Sequence, residues 1–136
     1  MTPQERIAKV LNDIDNVIEI AKSIAINEIY AYSQDRIFND GKDKYNQQIG
    51  TYSDSYKKTR KKKGLQTSFV DLTNITNLKQ SITRSNASIF FKNDYGKKIS
   101  GYNEKRFNRR IFAPSNEEKK IWYDTLNEEL TKLWKS

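Results

Sequence analysis

At 136 residues the chain has room for one domain with a modest core. It contains neither Cys nor His, which removes disulfides, thiolate nucleophiles, Ser-His and Cys-His triads and most transition-metal ligand sets. Only carboxylates, Lys, Tyr and Arg are left for catalysis, so the expectation is a protein that is not an enzyme and carries no cofactor or metal.

The net charge of +8 is unevenly placed. Residues 1–40 hold four Lys/Arg against seven Asp/Glu, and residues 115–136 hold four against five. Residues 41–114 hold seventeen against five, a net of +12, so the middle of the chain should meet nucleic acid or an acidic partner if it meets anything through charge. No apolar run reaches the roughly 18 residues that a bilayer span requires. The opening MTPQERIAKV lacks the basic start and unbroken apolar core of a secretory leader, so export by that route is not expected.

Thr2-Pro3-Gln4-Glu5 is a helix start: Thr2 and Glu5 form a capping box, and proline fits the first helical position. In heptads, Ile7, Ile14 and Ala21 share one position, Val10, Val17, Ile24 and Ala31 a second, and Leu11, Ile18, Ala25 and Tyr32 a third. The stripe predicts a helix from the N-terminus to about Phe38, stopped by Asn39-Asp40-Gly41. That length far exceeds the usual three turns. Ile7, Val10, Ile14, Val17 and Ile24 are therefore candidates for contact with a neighbouring subunit, the alternative being one curved or broken helix over a single core. Ala21, Ala25 and Ala31 permit close approach of either partner.

Residues 39–68 lack helical or strand periodicity and read as a long loop rich in Gly, Asn, Gln and Ser. Within it Lys57, Lys58, Arg60, Lys61, Lys62 and Lys63 place six cations in seven positions, accompanied by Tyr45, Tyr52 and Tyr56. Such a set suits phosphate contacts and base stacking. In the competing reading the tyrosines pin the loop to the domain and the lysines keep it soluble.

Phe69 to Thr73 has a short β texture, and Asn74 to Asn77 is turn-rich. Leu78 to Arg84 and Ala87 to Lys92 read as an antiparallel pair joined around Ser85-Asn86. Asn93 to Gly96 is another turn signal, Lys97 to Lys105 a short helix or an irregular excursion, and Phe107 to Phe112 an extended segment. Ser115-Asn116-Glu117-Glu118 is a second capping box. The helix after it carries Trp122, Leu126, Leu130 and Leu133 on one face, expected to lie on the sheet. Glu117/Glu118 and Glu128/Glu129 stand where caps and solvated faces are usual, and they suggest no catalytic pair. A nuclease or transferase relying on carboxylates has no motif behind it.

The expected fold class is α+β: long N-terminal and C-terminal helices packed on a small antiparallel β-sheet, with a long basic loop. One domain spans residues 1–136, divided into a long helix (1–38), the basic loop (39–68), a β-sheet region (69–114) and a C-terminal helix (115–136).

The order of these signals resembles small phage morphogenesis proteins of the tail-completion or neck type. The likeness begins with Arg36-Ile37-Phe38 and continues through Tyr52-Ser53, Tyr56 to Gly64, Val70-Asp71-Leu72-Thr73, Leu78, Ser81-Ile82 and a strand at Ala87 to Phe91. It closes with Arg110-Ile111-Phe112-Ala113-Pro114-Ser115 leading into a helix, and covers roughly residues 30–134. Thr76 stands where the family often has glycine. Asn77 beside it tolerates a left-handed backbone, so the turn is expected to shift by one residue. Tyr52 stands where the family often has Trp.

The resemblance implies a structural virion protein of the head-tail junction, a tail-completion, neck or connector subunit forming a homo-oligomeric ring at the portal vertex. Its partners would be portal or adaptor proteins and tail proteins, with genome DNA touched through non-specific phosphate contacts and no membrane involved. It would be assembled in the host cytoplasm and located in the virion. The alternative is a free, non-sequence-specific nucleic-acid-binding protein using the basic loop.

Overall fold

The computed structural model describes residues 1–73 and 77–135. Helix α1 runs Pro3–Gln34, opened as the sequence requires: the Glu5 amide donates to Thr2 Oγ1 at 3.1 Å and the Thr2 amide to Glu5 Oε2 at 2.9 Å. It closes in one wider π-turn, Asp35–Asn39, where the Asp40 amide reaches back five residues to the Asp35 carbonyl at 2.8 Å. Arg36, Ile37 and Phe38 are all buried. Gly41 then reverses the chain at φ +64°, where a Cβ would lie 2.2 Å from the Val70 carbonyl oxygen.

Helix α2 spans Asp54–Lys62, α3 is a single turn at Leu78–Ser81, and strands β1 (Ile82–Arg84) and β2 (Ile89–Phe91) form one antiparallel hairpin with Thr83 opposite Phe90. Helix α4 spans Asp94–Phe107 and α5 Asn116–Lys135. The architecture is thus α+β with far more helix than sheet. Of the expected turn over Asn74 to Asn77, the first three positions lie outside the described residues. Asn77 itself is left-handed at φ +62°, in line with the one-residue shift.

Several expectations are corrected. The 39–68 stretch is not one loop, because α2 interrupts it. Among the described residues the β-sheet region expected over 69–114 shrinks to the six hairpin residues. Leu78 to Ser81 turns as a helix before β1 begins, with Ser81 Oγ donating to the Leu78 carbonyl at 2.7 Å. Asn93 to Gly96 is the cap and first turn of α4, the Asn93 side chain accepting from the Gly96 amide. Phe107 to Phe112 is not a strand: Phe107 ends α4, Asn108 turns left-handed at φ 51°, and the Glu104 carboxylate takes the Ile111 and Phe112 amides.

Phe69 to Thr73 also fails to form a strand. The Asp71 carboxylate captures the Thr73 amide and hydroxyl, and Leu72 is bent to φ +60°. Local side-chain acceptors compete with a sheet ladder in this way.

Helix α5 packs principally along α1 rather than on the hairpin, which offers only two strands of three residues. It starts beside the end of α1 and returns along it. Ala21 and Ala25, fully buried, let the backbones approach. Around the other side of the α1 terminus sits the main core, Ile37, Phe38, Ile49, Val70, Leu72, Leu78 and Ile111, flanked by Phe91, Phe107 and Phe112. Tyr30 and Arg84 bind the hairpin to α1: the Tyr30 hydroxyl donates to the Ile82 carbonyl, and the Arg84 guanidinium stacks 4.5 Å from the Tyr30 ring centroid.

Candidate partner-binding surface

Helix α2 begins where Ser53 Oγ accepts from the Tyr56 amide. Two residues of the helix, Tyr56 and Arg60, stand four apart and so share a face. Tyr56 packs edge-on to Tyr52 at 5.2 Å, and Arg60 is 1% exposed. Arg60 was expected to reach a partner with the lysines. It is instead an internal strut, because a buried carboxylate takes it.

Asp71 is the centre of that strut. Its Oδ1 accepts from Arg60 Nη2 at 3.2 Å, the Tyr52 hydroxyl at 3.2 Å, and the Thr73 amide and hydroxyl. Its Oδ2 accepts from Gln66 Nε2 at 2.8 Å. Burial pushes the Asp71 carboxyl up, but the Gln66 and Thr73 hydrogen bonds and the Arg60 charge outweigh it, leaving the group below its ordinary value. Burial raises the Tyr52 phenol, favouring the neutral form that donates here. The Arg60 guanidinium lies 4.4 Å from the Tyr52 ring centroid, and its Nε donates to the Gln66 carbonyl at 2.8 Å.

With Arg60 turned in, the outer side of α2 presents exposed Lys58, Lys61 and Lys62, and Lys57, three residues before Arg60, lies half-buried at the flank. Exposed Lys63 follows at the cap. Lys57/Lys61 and Lys58/Lys62 are like-charged pairs four apart, each destabilising an isolated helix by about 0.2–0.5 kcal/mol. The negative end of the helix dipole offsets part of this at Lys61 to Lys63. An anion laid across the face relieves the rest. Of the three tyrosines, Tyr52 and Tyr56 brace the segment, whereas Tyr45 is 60% exposed.

The five stripe residues stay in reach of solvent: Ile7 and Ile24 are exposed and Val10, Ile14 and Val17 half-buried. They do not meet the lysine face through any shared element.

The buried ion pairs went unread in the sequence. Arg36 Nε donates to Glu118 Oε2 at 2.9 Å, and its Nη1 donates to the Lys42 and Ile111 carbonyls. Glu118 keeps its capping role, accepting from the Ser115 amide while Ser115 Oγ accepts from the Glu118 amide. Asp43, fully buried, accepts from the Tyr45 and Gln47 amides and from Arg109. The one signal available was the Ser-x-x-Glu box; its second task at Arg36 depends on tertiary placement.

Among the described residues no cluster of three or more Asp/Glu could hold a metal ion, and no helix is long and apolar enough to cross a membrane. No protein-family model, curated protein or solved structure matches the chain.

Proposed function

We propose that this chain is a structural subunit of a phage head-tail junction, a tail-completion, neck or connector protein that works by assembling into a ring around the DNA channel. The observation that carries this reading is the lysine face of α2, held on a helix whose inward side is locked by the Arg60–Asp71 pair. A rigid row of cations with internal repulsion suits a polyanion, either DNA phosphate or an acidic surface of a portal or tail protein. Phosphate contacts carry no sequence preference, which is what a conduit requires. The order of motifs along the chain supports the same reading, and the solvent-accessible stripe of α1 offers a surface for neighbouring copies.

The test replaces Lys57, Lys58, Lys61, Lys62 and Lys63 by Ser and leaves Arg60 in place. Lys58, Lys61, Lys62 and Lys63 are exposed, so folding stability should shift by no more than about 0.5 kcal/mol at each of these sites. Particles carrying the variant should fail to join heads to tails or to retain DNA. Normal joining and retention would remove the α2 face from the function, and absence of the chain from purified particles would remove the reading itself.

The same face supports a second reading, a free nucleic-acid binder without sequence preference. It requires binding to short duplex or single strands by the isolated chain, weakening steeply with salt. Absence of binding at low salt eliminates it.

A further inference from the structure

We infer that copies of this chain join head to tail, the first turns of α1 of one copy seating in an apolar groove at the far end of α1 in the next. The inference rests on the reading of the chain as an assembling subunit, but not on where the assembly sits.

The groove lies between the end of α1, the hairpin and the start of α5, with about 470 Å³ of open volume. Ile29, Ile89, Phe90 and Trp122 are among its walls, and Phe90 remains 45% exposed. At the other end of α1, Ile7 and Leu11 are 49% and 67% exposed although they continue the stripe that carries buried Ala21 and Ala25. The geometry of the two helices places them there. Thirty-two residues of α1 extend about 48 Å and twenty of α5 about 30 Å, so α5 covers only part of its partner. Ile7 and Leu11, four apart, form the paired anchor with which an amphipathic helix enters a groove.

Charge fits the same pairing. The first twenty residues carry Glu5, Asp13, Asp15 and Glu19 against Arg6 and Lys9. The groove is lined by exposed Lys119 and by Glu118, whose charge is buried against Arg36. Exposed Arg84 and Lys92 stand near it on and just after the hairpin, with no acidic residue between Ile82 and Lys92. Knob and groove lie at opposite ends of one helix, so a contact between them is heterologous: each copy gives one and receives one, and the series closes into a ring or grows as a filament.

The experiment uses the purified full chain in sedimentation equilibrium over a concentration series. Wild type should self-associate. Leu11→Asp, which spoils the knob, and Phe90→Asp, which spoils the groove, should each weaken association by at least about tenfold. Mixed together they should form a 1:1 complex that grows no further, since one retains the groove and the other the knob. Both sites are exposed, and Leu11→Ser and Phe90→Ser replace the Asp variants should either fail to fold. A wild-type chain that stays monomeric throughout, and so leaves the groove to some other occupant, overturns the inference. So does undiminished association of either variant, or failure of the mixture to pair. Because no particle is involved, loss of the head-tail role would leave this result standing, and the reverse also holds.

Discussion

Two glycines in one helix separate what a side chain needs from what a backbone prefers. Gly96 and Gly101 both lie in α4, where alanine is the better helix former by about 1 kcal/mol. A Cβ at Gly101 meets nothing within 4 Å, whereas one at Gly96 falls 2.4 Å from Ser81 Oγ and 2.7 Å from its Cβ. Gly101→Ala should therefore raise stability by about 0.5–1 kcal/mol. Gly96→Ala should lower it by about 1–3 kcal/mol as α3 is pushed off α4. Paired thermal melts decide the matter; equal shifts of the same sign would contradict the close approach. Capping residues were legible at this scale because their bonds close within three positions, as at Thr2 and Ser115. Gly96 was not, since its reason stands fifteen residues away.

The elements are joined by ions more than by sheet. The Arg36–Glu118 pair, both side chains 3% exposed, fastens the last turn of α1 to the first of α5. Arg36→Met or Glu118→Gln should each cost about 3–5 kcal/mol, because the surviving group stays buried without its counter-charge. The double variant should recover little, since Arg36 also serves the carbonyls of Lys42, Ile111 and Ala113. Urea unfolding of the three variants tests this, and full recovery in the double would reduce the cluster to a simple pair. Helices α1 and α5 could be read in the sequence because each carries an apolar stripe of the right period, wholly or partly covered where the two helices pack. Helix α2 could not, because its inward residue is Arg60, a cation that hydrophobic patterning assigns to solvent. The strands expected over Phe69 to Thr73 and Phe107 to Phe112 failed for a related reason: Asp71 and Glu104 satisfy those backbones locally, and a propensity scale does not see it.

For the whole molecule, the depressed Asp71 carboxyl links stability to pH. A group whose folded value lies below its unfolded one stabilises fully above the unfolded value, near 4, and loses that contribution as pH falls through the folded value. Wild type should therefore lose stability toward acid more steeply than Asp71→Asn, so the gap between them narrows below about pH 4. Urea midpoints taken at stepped pH check it, and a constant gap would sink the idea. The Arg36–Glu118 clamp has a further consequence, in time. Its two residues stand 82 positions apart, and at ordinary rates of synthesis roughly 4–16 s separate their appearance. A nascent chain can wind α1 but cannot lock its end until the second capping box has been made. Until then the groove beside that lock has no α5 wall, so a half-translated copy carries the α1 knob but no groove to receive a neighbour's.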